Sequence, residues 1–341
     1  SMYFAAGLKD GDEIICPAYT FFATVTPLLF LGVKPILCDC DETGNIDPEE
    51  IKKKITKKTK AVVVTHMWGI PCKMDEIVKI CRENNLLLLE DASHAHGATY
   101  KGKICGSFGD IAAWSLQGPK TISGGEGGIL VTNNKEYYYK ALLLGHYNKR
   151  CKQEIPENHP FRKYVITGMG LKYRAHPIAI AIAYEMLKDI KEILHTRNLF
   201  ASEIINSFNG SKILKVPKMY KKCKPSWYAF VFQADSKLDD PTVEKIYEAL
   251  KAEGLVEVDR PFSTSPLNLL PLFQDPTELF PVYKKNHFSY KPGDFPKAEK
   301  FFRNAIKIPV WSHIKDRRIM RLYIHGIKKV LDNYNSLISL T

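Results

Sequence analysis

Long apolar runs are missing from this chain of 341 residues: nothing approaches the roughly 20 consecutive apolar residues that a membrane-spanning helix needs. No charged stretch followed by an apolar one opens it, so no secretory leader is expected. The eight cysteines, Cys16, Cys38, Cys40, Cys72, Cys81, Cys105, Cys151 and Cys223, form no Cys-x-x-Cys pair and lie near no His-x-x-x-His spacing. That argues against a zinc site and a disulfide framework, and we expect no metal and a reducing, cytoplasmic setting. Neither an internal repeat nor a low-complexity linker interrupts the sequence. Acidic residues are in deficit, 37 against 49 basic ones, for a formal net charge of +12. Such a charge raises the question of a polyanionic partner. The densest cluster, Lys52, Lys53 and Lys54 with Lys57, Lys58 and Lys60, reads as a solvated helix face and its exit loop. With no helix-turn-helix, zinc finger or stacking-aromatic signature, nucleic acid is not expected, and the field suits small anionic substrates instead.

What is present is a hydrophobic fraction of 45%, enough for a large core and one large and one small domain. Apolar runs and amphipathic stretches alternate through the first part. Strands are expected over 13–16, 34–39, 61–65, 86–89, 111–114 and 129–132, with helices over 21–31, 48–55 and 74–84. In the last of these, Met74, Ile77, Val78 and Cys81 follow the spacing that buries one helix face. This alternation predicts an α/β fold with a mainly parallel central sheet. After Lys149 a polar loop is expected over 150–160, then a long helix from Pro177 to about residue 194. Beyond it we expect a strand over 227–234, a helix over 241–253 and a final helix over 316–331. We place the large domain at 1–190 and a smaller C-terminal α+β domain at 191–341.

Two short stretches carry chemistry. One runs Trp114-Ser115-Leu116-Gln117-Gly118-Pro119-Lys120 into the glycine-rich turn Gly124-Gly125-Glu126-Gly127-Gly128; the other is Glu90-Asp91-Ala92-Ser93-His94. Taken singly, each residue has an ordinary reading, since a lysine beside glycines is usually a solvated loop residue and an aspartate can simply cap a helix. Order and setting lift the pair. Asp91 and Lys120 both follow short apolar runs of the kind buried inside a parallel sheet, and open α/β sheets bind ligands at the carboxyl ends of their strands. An amine and a carboxylate there suit pyridoxal 5'-phosphate, which needs a lysine to bond covalently and an acid to keep its ring nitrogen protonated.

From end to end the chain resembles the DegT/DnrJ/EryC1/StrS sugar aminotransferases, a branch of the fold-type I pyridoxal-phosphate enzymes. The resemblance rests on Gly11-Asp12-Glu13-Ile14-Ile15-Cys16-Pro17-Ala18-Tyr19-Thr20-Phe21, on Glu90-Asp91-Ala92-Ser93-His94-Ala95-His96-Gly97-Ala98 and on Gly106-Ser107-Phe108-Gly109-Asp110. Ser265-Pro266-Leu267, Phe295-Pro296-Lys297-Ala298-Glu299 and Ile308-Pro309-Val310 extend it towards the end. It implies that Lys120 forms the Schiff base and shuttles the proton, and that Asp91 pairs with the pyridinium nitrogen. It also implies His94 near the ring hydroxyl, Phe21 stacked on the ring and Ser115 at the cofactor phosphate.

Two positions depart from the family pattern. The family's Ser-Gly-Thr phosphate loop would precede Met2, so we read the chain as an N-terminally truncated member. Gly170-Leu171-Lys172-Tyr173-Arg174 resembles the family's Gly-x-Asn-x-Arg segment, whose asparagine reaches the phosphate bound by the neighbouring subunit. Lys172 takes that place, and an ammonium there is a phosphate partner of stronger, less directional kind. The resemblance implies a homodimer that moves an amino group from glutamate or glutamine to a keto-sugar, nucleotide-linked, or to a keto-cyclitol. The alternatives are a noncatalytic or regulatory relative with weak cofactor binding, and a sugar dehydratase. The intact Lys120 speaks against the dehydratase, whose family members carry histidine there.

Overall fold

The computed structural model describes residues 1–339. Its strands in chain order are β1 (Glu13–Pro17), β2 (Lys34–Cys38), β3 (Thr59–Thr65), β4 (Leu87–Asp91), β5 (Thr99–Tyr100), β6 (Lys103–Ile104), β7 (Ile111–Ser115), β8 (Gly128–Thr132), β9 (Leu214–Lys215), β10 (Cys223–Lys224), β11 (Phe230–Ala234) and β12 (Ala305–Ile308). Six of them form one sheet in the order β2-β1-β3-β4-β7-β8, and every pairing is parallel except that of β8 with β7. This is the mainly parallel sheet that the alternating pattern predicts.

The strands are apolar on both faces because both faces are covered. Ile14, Cys16, Ala61, Val63 and Leu89 point into one core with Met2, Tyr3, Val25 and Leu28. Ile15, Val62, Val64 and Leu88 point into the other, where the helix Met74–Glu83 lays down Met74, Ile77, Ile80 and Cys81. The one-residue offset between the two sets is the strand period of two. A separate core joins the helix Ile190–Phe208, β11, β12 and the helices Asp240–Ala252 and Arg317–Asp332 through Phe200, Phe230, Phe232, Ile246, Ile306 and Ile327. Leu267, Phe273, Tyr283 and Phe295 instead return to the first core. There Leu267 N donates to Ala18 O at 2.8 Å, and Ala298 N to Asp39 Oδ1 at 2.7 Å.

Four elements differ from the sequence expectation. The strand expected over 227–234 starts only at Phe230, since Trp227 holds a left-handed backbone with φ of 51°. The stretch 21–31 is a 3-10 turn, Phe22–Thr24, and a one-turn helix, Thr26–Leu29. Pro27 lacks an N–H, and the hydroxyls of Thr20 and Thr24 are drawn into contacts with other strands, so a continuous helix does not form. The expected polar loop at 150–160 begins inside a helix, Asn148–Glu154, which buries Cys151 against Leu142 and carries an Arg150–Glu154 ion pair at 3.2 Å. The long helix from Pro177 stops at Lys188, and Ile190–Phe208 follows after Asp189, whose φ of −93° and ψ of 3° break the run.

Candidate active site

Strand order decides where the site lies. From β1 the chain passes to β2 on one side and then to β3 on the other, so a crevice opens at the carboxyl ends of β1 and β3. Just beyond β1, Thr20 Oγ1 lies 3.0 Å from Thr24 Oγ1 and donates to Thr65 Oγ1, at the end of β3, at 3.0 Å. Thr24 Oγ1 donates to Asp91 Oδ2 at 2.6 Å, and Ser93 N to Asp91 Oδ1 at 3.1 Å. Asp91 is the last residue of β4, not past its end, and Thr24, itself held in a hydroxyl cluster with Thr20 and with Thr65 at the end of β3, orients its carboxylate.

Lys120 follows β7, where the chain leaves the sheet edge in a turn closed by Lys120 N to Gln117 O at 2.9 Å. Its amine points inward. Burial lowers the Lys120 pKa, and the carboxylate of Asp91 pulls the other way. A lysine held below its ordinary value keeps more free amine at neutral pH, which is the form that attacks a carbonyl. Lys120 Nζ sits 4.4 Å from the centroid of the Tyr228 ring. On that ring lies His94, at 3.9 Å and 11° between planes. Burial, then the charge of Lys120, holds the His94 imidazole well below the ordinary range; the same two causes push His96 down to about 4.

Of the sequence-derived candidates, the structure thus brings Asp91, Lys120 and His94 together. Ser115 ends β7 between them: its N–H donates to Ser93 Oγ at 3.1 Å, and its own Oγ accepts from Gln117 N at 3.2 Å. Phe21 stands at the entrance of the 3-10 turn, 40% exposed, with its ring 4.3 Å from that of Phe22. Lys172 is not joined to this group. It lies in an exposed stretch with φ of 53°, and among the described residues no hydrogen bond or ion pair links it to Asp91, Lys120 or Ser115.

The donor set fits pyridoxal phosphate. An inward-facing amine of lowered pKa and an oriented carboxylate are in place. His94 Nδ1 is buried without a hydrogen-bond partner among the described residues, a polar atom for which a polar ligand would supply a partner. Packing also fixes the loop after Lys120: a Cβ at Gly124 would come within 2.5 Å of the Ala179 carbonyl oxygen, so the chain needs glycine where it crosses the helix Pro177–Lys188.

Several neighbours escaped the sequence reading. Thr65 ends a parallel strand and Trp68 follows close behind it, as Asp91 ends β4, so the rule that led to Asp91 would have found both. Tyr228 and Arg197 come from distant stretches and carry no local signal. Glu90, quoted only as a flank of Asp91, is fully buried. Its Oε2 accepts from Gly106 N at 2.7 Å and lies 3.2 Å from His66 Nε2, while Oε1 accepts from Phe108 N and Gly109 N at 2.6 Å each. Burial alone would raise its pKa, but His66 and these N–H groups outweigh it and leave it lowered.

Glu90→Ala strands all four donors, and thermal and chemical denaturation should show a loss of about 3–5 kcal/mol, as when one partner of a buried charged pair is removed. A carboxyl of depressed pKa contributes its stability fully above the unfolded value of about 4.3 and loses it as pH falls through the folded one. The gap between wild type and variant should therefore close in acid below about pH 4. A gap independent of pH would mean that Glu90 acts by packing alone.

Together the sheet and this site define a pyridoxal-phosphate-dependent aminotransferase of fold-type I. The model of the DegT/DnrJ/EryC1/StrS aminotransferase family matches residues 2–324, and the chain belongs to that family. A protein of Methanocaldococcus jannaschii with no assigned activity is 34% identical over 332 residues, 96% of this chain and 81% of that protein. GDP-perosamine synthase of Escherichia coli O157:H7 is 31% identical over 317 residues, 93% of this chain and 78% of the synthase. Among solved structures, the aminotransferase from Psychrobacter cryohalolentis superposes with a TM-score of 0.83 at 25% identity, covering 98% of this chain and 84% of that one.

Proposed function

We propose that the enzyme transfers an amino group from glutamate or glutamine to a keto-sugar, nucleotide-linked, or to a keto-cyclitol. The observation that carries this reading is that Asp91 ends β4 and Lys120 follows the adjacent β7, with the burial of Lys120 offset by the charge of Asp91. The similarity to GDP-perosamine synthase supports a sugar acceptor. The excess of basic residues supports a negatively charged one, such as a nucleotide-linked sugar.

Bound pyridoxal phosphate supplies an electron sink for the charge that develops at the substrate carbon. The chain's residues do the rest in this reading. Lys120 Nζ would hold the cofactor covalently and, once displaced by the donor, would carry the proton to and from the substrate carbon. Asp91, aligned by Thr24, would keep a proton on the ring nitrogen. His94 would serve the ring hydroxyl, Phe21 the ring face and Ser115 the phosphate. Large-domain residues 1–190 would contribute all of these, with 191–341 closing the site.

Lys172 is assigned to the phosphate held by the neighbouring subunit of a homodimer. Supporting this, Met169, Leu171 and Tyr173 beside it and Ile178, Ile182, Tyr184 and Leu187 on the next helix are all exposed. So much exposed apolar surface marks an interaction site. The double variant Ile178→Glu/Ile182→Glu should sediment as a folded monomer and lose most activity; a dimer of undiminished activity would place the interface elsewhere. The functional test proper is a coupled screen of keto-sugars with glutamate and glutamine, in which pyridoxamine phosphate forms with the donor alone and is consumed only by the true acceptor. Failure of both amino acids to convert the cofactor would refute the donor assignment.

A further inference from the structure

We propose that the ring of Tyr228 is the seat on which the Lys120 amine rests when it is not joined to the cofactor, which makes Tyr228 a positioning residue for the transfer. The inference rests on Lys120 being the cofactor lysine. Its geometric basis is the 4.4 Å between Lys120 Nζ and the Tyr228 ring centroid, inside the range over which an aromatic face attracts a cation. A displaced lysine needs such a place, because it must stay within reach of the substrate carbon while it gives and takes a proton.

The seat is rigidly built. Trp68, His94 and Tyr228 lie nearly parallel, with Trp68 5.8 Å from His94 and 6.3 Å from Tyr228. Tyr228 N donates to Trp68 O and Ser226 N to Gly69 O, both at 3.0 Å, and Ser226 Oγ donates to His94 O at 2.7 Å. Trp68 and Trp227 hold left-handed backbones, with φ of 56° and 51°, which bulky residues rarely adopt. At Gly69 a Cβ would meet Ser226 Oγ at 2.5 Å and Trp227 N at 2.8 Å, so the two segments pack backbone to backbone.

The amine's own loop is tied to the same point. Arg197 donates to Thr121 Oγ1, next to Lys120, at 2.9 Å and to Trp227 O, next to Tyr228, at 3.0 Å; its Nε donates to Ser312 Oγ at 3.0 Å. One guanidinium therefore fixes lysine and ring relative to each other.

The groups around the amine set the sign of the test. Burial disfavours the ammonium, whereas Asp91 favours it. His94 and His96 are pushed down and stay neutral at pH 7; Arg197 stands beyond His96, and Lys307 bears on His94. Burial raises the Tyr228 phenol, so it too is neutral. The ring face thus joins Asp91 in favouring the charged amine.

The experiment uses cofactor-free protein and follows the pH dependence of Lys120 acetylation by acetic anhydride, read by peptide mass mapping. Tyr228→Phe keeps the face and should titrate as wild type. Tyr228→Leu removes it and should lower the apparent pKa by about half to one unit, a three- to tenfold larger acid dissociation constant. If leucine merely let water in, the pKa would rise instead, since relief of burial favours the ammonium. An unchanged or raised value in Tyr228→Leu, or an equal fall in Tyr228→Phe, overturns the proposal. Should the leucine variant fail to fold, Tyr228→Met fills the volume without a ring and is read in the same way. Because no cofactor is present, these outcomes are separate from whether Lys120 is the residue that binds it, which borohydride mapping decides.

Discussion

Lys120→Ala is expected to abolish transamination while leaving the fold intact. Proton transfer by a positioned amine is worth about 10²–10⁴-fold by itself, and the covalent hold on the cofactor is lost with it. Turnover should fall below detection, and pyridoxal phosphate should wash out on gel filtration. Stability should change little, because among the described residues the Lys120 side chain makes no hydrogen bond or ion pair, and its amine lies over the face of Tyr228. Removing a half-buried amine also removes its desolvation cost. A variant with unaltered thermal midpoint and full activity would remove Lys120 from the mechanism; one that unfolds would show that its role is structural.

Asp91→Asn should keep the shape of the site and lose its charge. The amide can still meet Thr24 and Ser93, which bond the carboxylate at 2.6 and 3.1 Å. It cannot hold a proton on a ring nitrogen by opposite charge, so the stabilisation of charge in the transition state is lost. We expect kcat to fall by roughly 10²–10³-fold, the scale of removing one preorganised electrostatic partner, with cofactor still bound. The same substitution withdraws the carboxylate that favours the Lys120 ammonium, so the lysine should titrate lower than in wild type. Unchanged kcat together with an unchanged lysine titration would show that Asp91 faces neither.

Much of this site was legible in the sequence because it obeys a local rule. Parallel strands buried on both faces read as short apolar runs, and the residue types that follow them, Asp91 after 86–89 and Lys120 after 111–114, announce themselves against that background. The helix Met74–Glu83 was legible for the same reason, its apolar residues recurring at helical spacing. Phe21 to Leu31 was misread because periodicity is blind to side chains that bond elsewhere: Thr24 donates to Asp91, 67 residues away, and the backbone follows it out of a helix. The ring under Lys120 had no local signal at all. Tyr228 and Arg197 reach the lysine only through the segment 226–228 and the helix Ile190–Phe208, and only the assembled fold brings them there. Lys172 is the converse, singled out only through the resemblance of Gly170–Arg174 to the family segment, and within one chain it is set apart from the site.

The most direct test of the account is to add pyridoxal phosphate to the purified chain, reduce with borohydride and map the modified peptide. We predict a visible absorption band that disappears on reduction and a stable label on Lys120 alone. A label on another lysine, or no band and no label at saturating cofactor, would contradict the assignment of this site.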